Sequence, residues 1–211
     1  MITPLIKQKL FDSEEFVITE LKRVQTLYGL KQVIRYDHTR EEEEYTESVA
    51  EHIFGMHCLA DYFLPLEDDS EAWNRNKIRT MIQYHDIDEL VTGDIVGYLK
   101  TPSEVVQERA AAEQIVARLP AIMQEAIKSA LDEYESNLTS EARFVKAIDK
   151  IEPVFHLYNE IGKRTMADLK TTKEQHDRIK YPHVENFPVI KRFVEVMTEQ
   201  FQREGFYHDH P

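Results

Sequence analysis

Apolar residues recur every three or four positions along most of the chain, the spacing that gathers them on one face of an α-helix. Phe16, Ile18, Leu21, Val24 and Leu27 form such a stripe. Residues 12–29 therefore read as a first helix, capped by Asp12 or Ser13 and stopped by Gly29. Residues 31–45 lose the pattern and read as a loop, with Glu41, Glu42, Glu43 and Glu44 as a solvated acidic run. A second helix opens at Thr46 or Ser48 and carries Val49, Ile53, Met56, Leu59, Ala60 and Phe63 inward. After a turn at residues 67–70, residues 73–90 form a third helix whose inner face holds Ile78, Met81 and Ile82. Two packing helices are expected over residues 102–118 and 120–134. Residues 140–161 form a long helix with Phe144, Val145, Ile148, Ile151 and Phe155 on its core face. The C-terminal stripe Phe187, Val189, Ile190, Phe193, Val194 and Met197 predicts an amphipathic helix over 187–201. That stripe suits packing within the chain or on a second copy; periodicity does not separate the two.

The elements make one all-α domain of 211 residues with no repeat, low-complexity linker or domain boundary. With 6 Gly, 8 Pro and few alternating β-branched runs, composition agrees. A formal net charge of −13 argues against a nucleic-acid polymer or an anionic membrane as partner, because both need clustered Lys and Arg. It leaves room for a small phosphorylated ligand held by a metal and a few local cations. The single Cys58 allows no intramolecular disulfide and fits a reducing, cytoplasmic setting. Lys7, Lys9 and Asp12 interrupt any signal-peptide segment, and no stretch approaches the ~18 apolar residues of a membrane span.

Polar residues that interrupt the core faces carry the chemistry. His85 and Asp86 end the apolar run of the third helix, with Glu89 one turn further on the same face. Alone, this pair is more often a hydrogen bond that satisfies a helix end. His52 falls on the inner face of the second helix, where a lone His is more often structural. Asp149 interrupts the face of the long helix one turn beyond Val145, where an acid needs a cation or a strong donor. Asp94 follows the turn Thr92-Gly93 and either projects back towards the pair or merely forms the turn. Lys146, Lys150 and Glu152 read as solvated flank; His57, Cys58 and the tail from His208 to Pro211 are left outside the site. Together, His52, His85, Asp86 and Asp149 offer two imidazoles and two carboxylates, a donor set for one divalent transition metal ion (Co, Mn, Fe, Ni or Zn). Such an ion lowers the pKa of a bound water and polarises a phosphoryl oxygen, with Glu89 placed to move a proton.

This order resembles the HD-domain phosphohydrolases, most closely the 5′-deoxynucleotidase branch, over residues 21–161. The carrying segments are Glu47-Ser48-Val49-Ala50-Glu51-His52, then His85-Asp86-Ile87-Asp88-Glu89-Leu90-Val91-Thr92-Gly93-Asp94, and Phe144-Val145-Lys146-Ala147-Ile148-Asp149-Lys150. The resemblance implies metal ligation by His52, His85, Asp86 and Asp149, and catalytic roles for Glu89, on the attacking water, and Asp94, on the substrate sugar. It implies release of phosphate from (deoxy)nucleoside 5′-monophosphates, and a homodimer. One segment departs from the branch, which has an Arg and a Trp after its first helix. Here Val24-Gln25-Thr26-Leu27-Tyr28-Gly29 offers Tyr28 for the aromatic and no Arg, so Arg35 or Arg40 would supply the cation that meets the substrate. The alternatives are a hydrolase of the same superfamily acting on another phosphate ester or a signalling nucleotide, and a non-catalytic nucleotide-sensing module.

Overall fold

The computed structural model describes residues 47–67, 69–95 and 100–208, together with Lys9, Asp12 and Val33. The expected first helix and most of the acidic loop lie outside these residues, as do Tyr28, Arg35 and Arg40. Every regular element among the described residues is helical. The α-helices are α1 (Val49–Phe63), α2 (Arg75–Tyr84), α3 (Glu89–Thr92), α4 (Pro102–Arg118), α5 (Ala121–Ser136), α6 (Ser140–Leu157), α7 (Glu160–Asp168), α8 (Lys173–Val184) and α9 (Pro188–Arg203). None is long and apolar enough to cross a membrane.

The helix starts follow local chemistry. Ser48 caps α1 in a reciprocal box with Glu51, and Asn74 caps α2 by accepting from the N–H groups of Asn76 and Lys77. Thr139 does the same for α6 through Ala142 N–H. The central packing joins α1, α2 and α6, with α5 against α2 and with α8 and α9 against α6. Val49, Ile53 and Met56 meet Ile78, Met81, Ile82, Phe144, Ile148 and Ile151 in one buried cluster. Phe155, expected on this face, is 42% exposed, with its ring set edge-on to Phe63 of α1 and stacked on Phe193 of α9. The stripe of α9 also enters this cluster, with Ile190, Val194 and Phe201 fully buried, so it builds the chain's own core.

Two differences from the periodicity matter. The third helix does not run to residue 90. It ends at Tyr84, and residues 85–88 form tight turns in which Ile87 N–H bonds Tyr84 O and Glu89 N–H bonds Asp86 O. Ile87 pins these turns by burying in a second cluster with Ile115, Val116, Leu119 and Ile127 from α4 and α5. The long helix ends at Leu157, and α7 begins directly on it. A Cβ at Gly162 would stand 2.0 Å from the Leu157 carbonyl oxygen, so this close approach requires glycine.

The start of α9 depends on a residue remote in sequence. Pro188 has no N–H to satisfy, and Glu67 accepts from the next two, Ile190 N–H at 2.8 Å and Val189 N–H at 3.4 Å. Glu67 is 5% exposed. Glu67→Ala removes the acceptor of a buried donor at Ile190 and a half-buried one at Val189, and should lower stability by about 1–3 kcal/mol in urea unfolding. Unfolding coincident with the parent's would refute this anchoring role.

Candidate metal centre

Three elements bring the polar interruptions together. The face of α1 that buries Val49, Ile53 and Met56 carries His52 between them, and the ring is fully buried. The cap of α2 supplies His85, 5% exposed, and the following turn supplies Asp86. The middle of α6 supplies Asp149, flanked by Val145, Ile148 and Ile151.

Each imidazole has one nitrogen committed. His85 Nδ1–H donates to the Ile82 carbonyl at 3.0 Å. His52 Nδ1–H donates to a Glu152 carboxylate oxygen at 2.7 Å. Both residues therefore turn a lone-pair-bearing Nε2 to the same point. His85 Nε2 lies 3.1 Å from Asp86 Oδ2 and 3.9 Å from Asp149 Oδ1. His52 Nε2 lies 3.4 Å from Asp149 Oδ1 and 3.9 Å from Asp86 Oδ2. Ligands at metal bond lengths of ~2.0–2.2 Å sit about 3.0–3.5 Å from adjacent ligands and about 4 Å across the ion, so separations of 3.1–3.9 Å suit one shared cation. His85 Nε2 is buried and makes no hydrogen bond, as a waiting ligand atom would. By geometry, His52, His85 and Asp86 already form a possible metal-binding group. Asp149 completes a set of two nitrogens and two oxygens, the chemistry of a first-row divalent ion.

Charge in the site is arranged around the carboxylates. Burial pushes the Asp86 carboxyl up, but His85 and His52 outweigh it and hold the group at about 2. Burial also works against the charge on Asp149, while Lys150, His52 and His85 keep it well below the usual carboxylate range. Asp149 Oδ2 accepts from Lys150 Nζ at 2.8 Å and from the Tyr134 hydroxyl at 3.2 Å, leaving Oδ1 to the histidines. Burial, reinforced by Asp149 and Asp86, pushes the Tyr134 phenol well above its ordinary value, so it remains a donor. On the next turn Asp88 is pushed up to about 7 by burial and by Asp86.

A cleft of about 990 Å³ opens beside this group, bounded among the described residues by Asp86, Glu89, Asp94, Lys100, Lys146 and Asp149. Glu89 is 8% exposed at the start of α3. Gly93, at φ 71°, turns the chain sharply after α3 and sets Asp94 on the cleft wall. Of the residues expected from sequence, His52, His85, Asp86 and Asp149 come together and Glu89 and Asp94 line the adjoining cleft, whereas Tyr28, Arg35 and Arg40 lie outside the described residues. The flank reading of Glu152 is overturned, because it is 4% exposed and bonds His52. Lys150 is likewise engaged with Asp149. Glu152 follows Ile148 by four residues on the inner face of α6, and that spacing was the available signal. Tyr134 and Glu47 were also missed; Glu47, 3% exposed, sets a carboxylate oxygen 3.7 Å from His52 Nδ1.

The chain is similar in sequence and in fold to several known proteins. The chain is 30% identical over 139 residues to the 5′-deoxynucleotidase HDDC2 of Xenopus laevis, a match covering 64% of the chain and 67% of that protein. The human protein of the same name is 29% identical over 127 residues, 59% of the chain and 60% of the relative. The 5′-deoxynucleotidase hdd1 of Schizosaccharomyces pombe is 29% identical over 126 residues, 54% of the chain and 59% of the relative. A crystal structure from Magnetospirillum magnetotacticum MS-1, of a protein described as a predicted metal-dependent phosphohydrolase, superimposes with a TM-score of 0.76. It shares 21% identity, and the match covers 92% of this chain and 98% of the other, so the helical fold is common to both. The family model described as HD domain matches residues 27–191. That span contains α1, α2 and α6, which bring the two histidines and two aspartates together, and the chain belongs to the HD domain family.

Proposed function

We propose that this chain is a metal-dependent phosphomonoesterase that releases inorganic phosphate from (deoxy)nucleoside 5′-monophosphates. The observation that carries the reading is the convergence of two committed imidazoles and two carboxylates at the head of a cleft that also holds Glu89, Asp94 and Lys146. His52, His85, Asp86 and Asp149 would hold one divalent ion. When bound, that ion supplies Lewis-acid polarisation of a phosphoryl oxygen and a water acidic enough to react near neutral pH.

The remaining work falls to side chains. Glu89 takes a proton from the attacking water as the oxygen–phosphorus bond forms, and returns it to the departing 5′-oxygen as the ester bond breaks. Lys146 on the cleft wall offsets the charge of a phosphate in a chain that is otherwise strongly acidic, while Lys100 and Lys150 are already paired with Glu108 at 2.7 Å and Asp149 at 2.8 Å. Burial lowers the Lys146 pKa, with Lys150 adding to the effect, so an anion arriving there relieves an unfavourable setting. Lys146 Nζ also lies 4.1 Å above the ring of Tyr134, which places it near Asp149. Asp94, on the cleft wall, would accept from a sugar hydroxyl. The names of the relatives from Xenopus laevis and human support the deoxynucleotide as substrate.

Metal analysis of purified protein should find about one divalent transition ion per chain, and Asp86→Ala or Asp149→Ala should remove it. Full occupancy in both variants would remove the ligand assignment. In a panel of phosphate esters, deoxynucleoside 5′-monophosphates should turn over fastest; a non-nucleotide ester or a signalling nucleotide at the top would redirect the substrate reading.

Glu89→Gln should keep the metal and the fold while turnover falls by ~10²–10⁴-fold, because Gln cannot accept the proton. Asp94→Asn should chiefly alter discrimination between deoxyribose and ribose substrates. A Glu89→Gln enzyme with parental turnover, or one without metal, would show that Glu89 has another role.

A further inference from the structure

We infer that Glu152 is a positioning residue for the metal centre, fixing the tautomer and orientation of His52, and that Gly55 exists to leave room for it. The inference rests on the reading of His52 as a ligand. It concerns a residue outside the proposed set of two histidines and two aspartates.

The geometry is specific. His52 sits on α1 and Glu152 on α6, one hundred positions apart, and they meet with Nδ1 2.7 Å from Oε2 in a fully buried setting. A carboxylate only accepts, so Nδ1 must carry the proton and Nε2 must present its lone pair to Asp86 and Asp149. Glu47 is the other carboxylate nearby, but its oxygen is 3.7 Å from Nδ1 and its second oxygen lies 3.5 Å from His156 Nδ1. Glu47 therefore adds field and Glu152 makes the hydrogen bond.

A second cation between Glu47, His52 and Glu152 is the competing explanation for this buried group, since their donor atoms also cluster. The distance decides against it. Two atoms bound to one ion at ~2.0–2.2 Å lie about 3.0 Å or more apart, whereas Nδ1 and Oε2 are 2.7 Å apart. The contact is a charge-assisted hydrogen bond.

Gly55 lies one turn beyond His52 on α1. A Cβ there would stand 2.7 Å from Glu152 Oε1 and 3.4 Å from its carboxyl carbon. Glycine inside a helix carries a penalty of ~1 kcal/mol relative to alanine. Its presence here is explained by the carboxylate that occupies the space a methyl group would take. Because Oε1 is the far end of a flexible side chain, a methyl group would displace it without disrupting the helix. The effect of Gly55→Ala should therefore appear at His52 and not in stability.

The test uses the whole chain freed of metal, zinc as the probe and a chromogenic chelator as competitor. Glu152→Leu should lower zinc affinity by ~10–100-fold, the usual effect of removing the partner of a ligating histidine. Glu152→Gln, whose carbonyl oxygen still accepts from Nδ1–H, should restore most of that loss. Gly55→Ala should lower affinity in the same direction while remaining at least as stable as the parent to urea. In the metal-free proteins, nitrogen NMR of the His52 ring should report a protonated Nδ1 in the parent and in Glu152→Gln, and a loss of that preference in Glu152→Leu. An unchanged ring signature or zinc affinity in Glu152→Leu would overturn the inference. If that variant does not fold, unchanged zinc affinity in Gly55→Ala overturns it. A parent that binds no zinc at these residues would instead overturn the ligand reading itself, and the ring signature would still report on the Glu152 contact.

Discussion

Two half-buried carboxylates facing a pair of buried imidazoles form the constraint on which the rest of the site depends. Asp86 and Asp149 meet at the same two Nε2 atoms, in an interior where an isolated anion is expensive. Lys150 offsets one negative charge by pairing with Asp149 Oδ2. With each Nδ1–H committed, the inward Nε2 of either ring offsets the other charge only by holding a proton or a cation. A divalent cation answers both requirements at once, because it satisfies the lone pairs and neutralises the carboxylates. The proposed chemistry follows from the same excess of positive charge at one point.

The fold serves this centre by rigid packing. Its ligands come from α1, the turn after α2, and α6, helices whose apolar faces form the main core. His52 and Asp149 stand among fully buried aliphatic residues, so their positions are set by the same contacts that stabilise the domain. The turn at residues 85–88 is the exception, and Ile87 ties it to a separate cluster built by α4 and α5. This division places the ligands on a fixed frame and the proton-handling Glu89 on a short element at the edge of the cleft.

Much of this was legible in sequence, for identifiable reasons. The stripes of α1, α2, α6 and α9 are amphipathic enough that spacing alone located them, and Ser48, Asn74 and Thr139 mark three of their starts. Polar residues interrupting those stripes then marked His52, His85, Asp86 and Asp149. The pattern was silent over α7 and α8. The buried face of α8 is His176, Lys180 and Val184, at helical spacing but largely polar. His176 shares a hydrogen bond with the Tyr207 hydroxyl at 2.9 Å, and Lys180 Nζ donates to the Lys150 carbonyl at 2.5 Å. Such a face is buried through specific partners, which no hydropathy pattern reveals. Glu152 escaped for the same reason: a Glu between Ile151 and Pro153 looks like solvated flank until its partner on α1 is known. The break after Tyr84 was hidden because tight turns preserve nearly the same inward and outward alternation as a helix over four residues.

The central claim is that a single cation is held by four residues from three parts of the chain. It is tested most directly by soaking crystals in manganese and recording anomalous scattering above the metal's absorption edge. The account predicts one strong peak per chain in direct contact with Nε2 of His52 and His85 and with carboxylate oxygens of Asp86 and Asp149. A peak coordinated by other residues, or no peak in crystals where those four side chains are well ordered, would contradict it.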